Sequence, residues 1–401
     1  MKKFFSLVLI LFVVFSSPVF SNRVYDLSHQ IVYAEIDTQE IETELNENIQ
    51  NQLASLDTSG LDLIIQELSD NAILGDGVSF TQKLGQIISG ELSLDVNSFL
   101  SYLSNLFIDD IINFLPFICL IVAIAVLYSM VNSAQSGKNK GISDIIHFVC
   151  YGATVIILIV WITKFITLTT NTLTGLKSQM DLVFPLLLTV LTALGGSVSV
   201  NVFQPAMAIL SGGVVSIFIN ILMPIFTFTL VFNIISNLTT NIKFNKFGDF
   251  FSSAFKWIMG IVLMLFSAFV SIQGLMAGSI DSVSIKTAKY TVKSAVPIIG
   301  GFLSDGINLI MASSVLIKNA IGVGGLLILL VSMLLPIIKI LVFSFLLKLA
   351  SAILEPIADS RITSFVSSMS KVIQMLIAVI LGVAFMYFLI IGLVMCSTNI
   401  M

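Results

Sequence analysis

The sequence contains few charged residues, few cysteines and few histidines. Only 10% of its 401 residues are charged, against about 25% in a typical soluble domain. The formal net charge is −4, which excludes nucleic-acid binding as the main activity, because a phosphate backbone is neutralised by a basic surface. The three cysteines lie in apolar runs, which excludes a disulfide-stapled secreted module.

Recognisable catalytic machinery is missing as well. With His29 and His147 as its only histidines, the chain offers no metal site built on histidine pairs. Gly137-Lys138 lacks the upstream glycine and the following Ser or Thr of a Walker P-loop, so the chain does not hydrolyse nucleotide by that route. We therefore expect no enzyme, no cofactor and no catalytic or metal-binding residue.

Apolar residues dominate what is present. They make up 57% of the chain, and the mean hydropathy is +1.04, which indicates a polytopic membrane protein. The acidic residues are unevenly spread: residues 22–110 hold 16 of them against Arg23 and Lys83, a net charge of −14, whereas residues 111–401 hold 7 against 15 Lys and Arg, a net charge of +8. We expect two physically different domains that meet after Asp110.

Residues 1–21 have the features of an export signal. Lys2 and Lys3 precede an apolar core at residues 4–15, and Ser21 is the expected cleavage position. The alternative is a retained first transmembrane helix, although the apolar stretch is shorter than the roughly 20 residues that a span needs. In both cases the acidic segment at residues 22–110 is exported.

This acidic segment carries a helical pattern. Ile41, Leu45, Ile49 and Leu53 recur at four-residue steps with glutamates between them, so that one apolar stripe opposes a charged face. The pattern predicts a small helical domain. It could form a cap resting on the membrane domain or a partner-binding arm, and the two interpretations are compatible.

Residues 111–401 contain apolar runs long enough to cross a bilayer as helices. Seven are clear, and a weaker eighth lies at 296–317. The clear runs are 111–131, 145–166, 182–200, 203–235, 254–276, 321–347 and 372–395. The expected fold is therefore all-α, a polytopic helical membrane protein with about seven to eight transmembrane helices.

One run is too long for a simple span. Residues 203–235 would extend about 50 Å as a helix, against a hydrocarbon thickness of about 30 Å. Together with the Gly and Pro residues of 182–235, this length predicts a helix that tilts, breaks or re-enters. The region is our first candidate for a transport-related element, and tight helix packing is the alternative.

Lysines predict the orientation of the loops. Residues 132–143 carry Lys138 and Lys140, and residues 277–295 carry Lys286, Lys289 and Lys293. The positive-inside rule places both segments in the cytoplasm, opposite the exported acidic segment. This arrangement requires an even number of spans between them.

Polar residues inside apolar runs are functional candidates, because a charge in lipid is costly. Asp305 and Asn308 share one helix face at i and i+3, and Lys339 follows Pro336 within an apolar run. We propose these three as a polar membrane interior. For Lys318 and Lys348 we expect side chains that extend to the lipid headgroups.

A charged segment, residues 355–361, lies between the clear apolar runs at 321–347 and 372–395. Pro356 suits the first position of a helix, and Asp359 would lie in its first turn. A helix start explains the segment. The alternative is a loop that docks a cytoplasmic partner through Glu355, Asp359 and Arg361.

The C-terminal third resembles a known family. The segments that carry the resemblance are 287–290 (TAKY), 296–301 (VPIIGG), 303–305 (LSD), 312–322 (ASSVLIKNAIG), 336–340 (PIIKI) and 355–359 (EPIAD). They resemble the stage III sporulation protein AE family of endospore-forming bacteria. The match is specific over about residues 284–395, and before that it extends to length, signal sequence and exported acidic segment.

The resemblance implies a subunit of the channel-like complex that joins mother cell and forespore after engulfment. Members of that family lie in the mother-cell membrane around the forespore, with the exported part in the intermembrane space. Their implied partners are other stage III sporulation membrane proteins and a separate cytoplasmic ATPase. A stand-alone secondary transporter and a membrane scaffold without a pore are the alternative functions.

Overall fold

The structure is a computed structural model, and it describes most of the chain. Its backbone is described for residues 38–68, 78–91, 96–134, 140–238, 244–295, 300–358 and 360–397. Side chains are described for residues 43–68, 78–91, 100–131, 145–237, 244, 246–274, 308–358 and 360–397. The expected signal peptide lies outside the described residues, as do Asp359 and the side chain of Asp305.

Every regular element in the described part of the chain is helical, and this part contains no strand. The all-α prediction is therefore confirmed. Residues 1–48 and residues 49–401 form two compact units. In the described part of the first unit, Asn48 Nδ2 donates to Glu44 O at 3.0 Å, which is a contact within one helix.

The acidic segment forms three short helices. They are α1 (Thr38–Ala54), α2 (Ser59–Leu68) and α3 (Phe80–Ser89). Ser79 begins α3 with a capping box that it forms with Gln82, and Gly90 ends it at φ +71°. The buried face of α3 packs closely on the membrane domain, because Phe80 and Leu84 lie where a side chain at Gly324 would stand.

Six helices in the described part are long and apolar enough to cross a membrane. They begin with α4 (Val96–Ala134) and α5 (Lys140–Ala193), followed by a composite helix that starts as α6 (Ser197–Ala208) and ends as α7 (Met223–Leu238). The last three are α8 (Asn245–Ala295), α9 (Gly300–Leu354) and α10 (Ser360–Cys396).

The count of six differs from the seven to eight runs of the sequence because two pairs of runs share a helix. The run at 145–166 and most of the run at 182–200 lie in α5, which is 54 residues long. The runs at 296–317 and 321–347 overlap α9, which is 55 residues long. Helix α4 also continues without interruption through position 110, where the composition changes.

Helices α9 and α10 pair along their length in antiparallel order. Lys318 near the start of α9 bonds to Met395 at the end of α10. Further along, Ser344 bonds to Ser370, and Ser351 Oγ donates to Thr363 O at 3.1 Å. Helix α9 also contacts α3, α4, α5 and α8, so it forms the centre of the bundle.

An aromatic cluster joins α4, α5 and α9. Phe114 of α4 contacts Trp161 and Phe165 of α5 and Phe343 of α9, at ring-centroid distances of 5.2, 5.9 and 5.3 Å. Tyr128 and His147 also meet, at 5.7 Å. These contacts fix α4 antiparallel to α5. Because α5 also runs antiparallel to α9, with Phe165 on Phe343 and Gln179 bonded to Ser332, α4 is parallel to α9.

The overlong run at 203–235 stays helical but changes its winding. Two π-helical segments, Ile209–Val214 and Phe218–Leu222, lie between α6 and α7 with one α-helical turn between them. Before α6 the chain reverses at Gly195, whose φ is +80°. Wider π turns shift the helix face from one part of the segment to the next, so the expected irregularity takes the form of local rewinding.

Six spans would not place residues 132–143 and 277–295 on the same side, although the positive-inside rule predicts it. Three candidate spans separate the two segments, an odd number, whereas the expectation required an even one. Contacts within the bundle agree with this alternation of sides. Gly274, at the end of the α8 span, lies beside Leu393 near the end of α10. Tyr151, near the start of the α5 span, bonds to Ile234 O of α7 at the other end of the bundle.

Single cysteines introduced at three segments outside the candidate spans test this alternation. We expect cysteines at residues 132–143 and 239–243 to share one labelling pattern with a membrane-impermeant thiol reagent, and cysteines at residues 277–295 to show the opposite pattern, because an odd number of crossings separates the two groups. The measurement is labelling in intact and in permeabilised cells. Equal labelling of residues 132–143 and 277–295 would contradict the six-span arrangement.

Candidate functional site: polar groups inside the bundle

An acidic and a basic side chain lie on the neighbouring helices α4 and α9. Asp110 of α4 is only 6% exposed, Lys339 of α9 is half-buried, and the charge of Lys339 is near enough to favour the charged form of the Asp110 carboxyl. Both lie within candidate spans. A carboxylate at membrane depth needs an opposite charge or water, so this pair is the first component of the candidate site.

The aromatic cluster fixes where the pair lies. Asp110 precedes Phe114 by four residues, and Lys339 precedes Phe343 by four residues, so both lie one turn from the cluster on parallel helices. On antiparallel α5, Thr169 follows Phe165 by four residues and is fully buried. The register therefore brings one charged pair and one hydroxyl to the same depth.

Two oxygen atoms at this depth are buried without a hydrogen bond to any described residue. Neither Asp110 Oδ2 nor Thr169 Oγ1 has a hydrogen-bond partner among the described residues, although both atoms are buried. Buried polar groups are nearly always hydrogen-bonded. Asp110 Oδ2 and Thr169 Oγ1 can therefore still accept a proton, a hydrogen bond from water, or a small cation.

Further polar contacts cross the bundle on other faces of α9. Gln179 Nε2 of α5 donates to Ser332 Oγ at 2.7 Å. Ser344 Oγ donates to Ser370 O at 3.0 Å and accepts from Gln374 Nε2 at 2.9 Å. The bonds of Ser344 satisfy its hydroxyl inside the protein, which is the usual solution in a membrane, whereas Gln179 Oε1 is buried without a hydrogen-bond partner among the described residues.

Helix α1 also forms hydrogen bonds to polar side chains in the first part of α9. Gln52 Nε2 donates to Ser313 Oγ at 3.0 Å, and its Oε1 accepts from Ser314 Oγ at 2.9 Å. The three residues lie within the second compact unit. The end of α1 is thus fixed to the membrane domain by an amide that uses both its donor and its acceptor.

Comparison with known proteins gives the family. The sequence model described as stage III sporulation protein AE matches residues 78–398. The chain belongs to the stage III sporulation protein AE family. A relative of that name from Bacillus subtilis (strain 168) is 25% identical over 320 residues, which is 79% of this chain and 80% of the relative. No solved structure gives a significant match.

The family match extends further than the motifs that suggested it. It begins at residue 78, close to the start of α3, and so includes Asp110, Thr169 and Lys339. Residues 1–77 lie outside it. The resemblance seen over about residues 284–395 is confirmed, and the matched range now includes all six candidate spans.

The structure does not bring the proposed polar interior together. Asn308 is exposed at the start of the span in α9, about 46 Å along the helix from Lys339. The side chain of Asp305 lies outside the described residues. Of the three residues, Lys339 is the one whose charge acts on a buried opposite charge, that of Asp110.

Lys318 was expected to extend to the lipid headgroups, and its side chain does not do so. Its side chain is fully buried, and Nζ donates to Met395 O at 2.8 Å. A cation near the last carbonyls of a helix is favoured by the helix dipole, so Lys318 stabilises the C-terminal end of α10. Lys348 is exposed, which agrees with the expectation for that residue.

The charged segment between α9 and α10 is a turn rather than a helix start at Pro356. Helix α9 ends at Leu354 and α10 begins at Ser360. Glu355 is exposed, Arg361 is half-buried, and Asp359 lies outside the described residues. Turn bonds from Ile357 N and Ala358 N to Leu354 O, at 3.0 and 2.7 Å, explain why the helix starts later than Pro356.

Sequence reasoning missed Asp110 because it follows Asp109 at the end of the acidic segment. The two residues differ in environment: Asp109 is exposed and Asp110 is buried. A helical register carried back from Phe114 and Phe117 would have placed Asp110 on the inward face. Lys339 on α9 was identified from the sequence as a functional candidate, whereas Asp110 on α4 was assigned to the exported acidic segment.

Lys339→Gln tests the charged pair. It leaves the Asp110 carboxylate without its countercharge, and we expect a loss of apparent stability of about 2 kcal/mol, below the value for a fully buried pair because Lys339 is half-exposed. Adding Asp110→Asn should recover most of it. The measurement is thermal unfolding of purified protein in detergent, with Lys348→Gln as the control. Additive losses in the double variant would contradict the pair.

Lys318→Met tests the bond to the end of α10. Methionine keeps the apolar stem but removes the donor, so the last turn of α10 should open more easily. We expect hydrogen exchange over residues 390–396 to rise about tenfold, which corresponds to the loss of one charge-assisted hydrogen bond. Lys348→Met is the matched control. Unchanged exchange in this turn would show that the bond contributes nothing to its stability.

Proposed function

We propose that the chain is a membrane subunit of the channel-like complex that links mother cell and forespore during spore formation. Its membership of the stage III sporulation protein AE family is the observation that carries this proposal. Six apolar helices with charged and polar groups between them are consistent with such a subunit. The proposed location is the mother-cell membrane around the forespore, with the acidic segment in the intermembrane space.

The proposed partners are other stage III sporulation membrane proteins and a separate cytoplasmic ATPase. A P-loop is absent from the full sequence, so energy from nucleotide hydrolysis by that route must come from another protein. Exposed Glu355 and half-buried Arg361, together with Asp359, form the proposed docking loop. Under the six-span arrangement, this loop lies at the same end of the bundle as residues 132–143.

A stand-alone secondary transporter is the competing function. The observation that favours it is the Asp110–Lys339 pair, because ionisable groups at membrane depth often form proton or ion pathways. Transporters of this kind usually have two similar halves, and we find no convincing internal repeat in the sequence. The channel-subunit proposal therefore takes precedence.

Sporulation of the host bacterium tests the proposal. Deletion of the gene should leave engulfment intact but abolish late forespore gene expression and heat-resistant spores. The combined Asp110→Asn and Lys339→Gln variant, produced at normal level, should lower spore yield by about two orders of magnitude if the complex needs the charges of this pair. The measurements are a late forespore reporter and a heat-kill count, with Lys348→Gln as the control.

The outcomes separate two questions. Normal sporulation of the deletion strain would reject the proposed function. A deletion strain that fails to sporulate, together with a fully active double variant, would leave the function standing and reduce the Asp110–Lys339 pair to a packing element.

A further inference from the structure

Thr169 differs from every other threonine of α5 in its hydrogen bonding. Each of the others, including Thr154 and Thr167, donates its hydroxyl to the backbone carbonyl four residues earlier, at 2.8 to 3.1 Å. Such bonds satisfy a hydroxyl within its own helix. Thr169 makes no such bond, and its Oγ1 is buried without a partner among the described residues. This hydroxyl is therefore free to bind a group that the helix itself does not supply.

The aromatic cluster brings Thr169 next to Asp110. The ring of Phe165 packs on Phe114 at a centroid distance of 5.9 Å and on Phe343 at 4.7 Å. Thr169 follows Phe165 by four residues, and Asp110 precedes Phe114 by four residues. Residues four apart share one face of a helix, and α4 and α5 are antiparallel. Both polar side chains thus lie one turn beyond the rings, on the same side of them.

Asp110 has one carboxylate oxygen for which the described protein supplies no hydrogen-bond donor. Its side chain is 6% exposed, and Oδ2 is buried without a partner among the described residues. The Lys339 ammonium therefore does not bond to this atom, although its charge acts on the carboxyl. A buried carboxylate needs close compensation by an opposite charge and by hydrogen bonds. Oδ2 and the Thr169 hydroxyl together form a pair of oxygen ligands for a positive group.

The chemistry of these two ligands selects the class of cation. Carboxylate and hydroxyl oxygens are hard ligands, which suit alkali and alkaline-earth ions rather than copper or zinc. Calcium sites usually contain several carboxylates, and the described part of the chain has no group of three or more His, Cys, Asp or Glu side chains that could hold a metal ion. One carboxylate balances one positive charge. The ligands therefore suit a monovalent cation, and their position between packed helices favours a small one such as Na⁺.

Lys339 is the natural competitor of a cation at this position. Two positive charges held close to one carboxylate repel each other, so the ammonium must withdraw when a cation binds. Lys339 is half-buried, and the flexible stem of a lysine lets the ammonium extend toward water or the headgroups. The same half-buried side chain marks the route by which a small ion would reach the carboxylate from the surface.

We propose that Asp110 Oδ2 and Thr169 Oγ1 bind a Na⁺ ion at the junction of α4, α5 and α9, and that this ion replaces the Lys339 ammonium as the countercharge of Asp110. With Na⁺ bound, the carboxylate of α4 is linked to α5. Without it, the carboxylate interacts with the ammonium of α9. Occupancy therefore changes which helix is coupled to α4. The site does not depend on the proposed role in sporulation.

Binding of radioactive Na⁺ to the purified full-length protein in detergent tests the site. Choline chloride keeps the ionic strength constant. Asp110→Asn removes the charged ligand, and Thr169→Val removes the hydroxyl while it keeps the shape of the side chain. Thr154→Val is the matched control, because Thr154 is fully buried on the same helix and its hydroxyl is bonded to Cys150 O at 2.9 Å. Only variants that elute like the parent protein are compared.

We expect the parent protein to bind about one Na⁺ per chain, since one carboxylate balances one such charge. Asp110→Asn and Thr169→Val should each weaken binding about tenfold or more, because each loses one ligand. Thr154→Val should bind as the parent does. Lys339→Gln should bind Na⁺ about tenfold more tightly, since the competing ammonium is gone. A charged pair with a purely structural role would not produce this gain.

Thermal unfolding of the same samples gives a second readout. Lys339→Gln should regain in Na⁺ part of the stability that it loses in choline, because bound Na⁺ supplies the missing countercharge. Stability of this variant that is the same in both salts would overturn the exchange between Na⁺ and the ammonium.

Three binding results would overturn the site itself. The first is the absence of Na⁺ binding to the parent protein, in which case water alone would bridge the two oxygens. The second is undiminished binding in both Asp110→Asn and Thr169→Val, which would place the ion elsewhere. If neither of these variants can be purified, an unchanged affinity of Lys339→Gln is the third. All of these measurements use purified protein, so their outcome is separate from that of the sporulation experiment.

Discussion

A polar group at membrane depth must find a partner within the protein or reach water, and this constraint governs the structure around α9. Gln179 meets Ser332, Ser344 meets Ser370, and Lys318 meets a backbone carbonyl at the end of α10. Each contact joins α9 to a different helix or to a different part of one. The helices are therefore held in register by polar bonds, while apolar packing fills the space between them.

Asp110 and Lys339 meet this constraint only in part. Their charges attract each other, but Asp110 Oδ2 lacks a hydrogen-bond partner among the described residues. Satisfied bonds such as those of Ser344 stabilise the bundle, whereas a partly satisfied charge retains the capacity to bind a proton, a cation or water. The pair is for this reason a stronger functional candidate than the serine contacts.

The sequence predicted the class of fold and the family, because apolar content, run length and charge distribution are properties of composition. It could not predict how many runs share one helix: α5 and α9 are continuous where the sequence showed two runs each. Nor could it separate Lys318 from Lys348. Both follow apolar stretches, yet one is buried against α10 and the other is exposed, which depends on packing between distant segments.

Helix α5 is longer than a bilayer is thick, and its two parts differ in the chemistry of their exposed side chains. At 54 residues it extends about 80 Å, well beyond a hydrocarbon thickness of about 30 Å. Residues 145–162 alone are about as long as that thickness, and their large exposed side chains are apolar. From Thr163 to Asp181 the exposed positions of α5 are polar. One continuous helix thus carries an apolar exposed surface in its first part and a polar exposed surface from Thr163 to Asp181, and only the first part matches a hydrocarbon thickness in both length and chemistry.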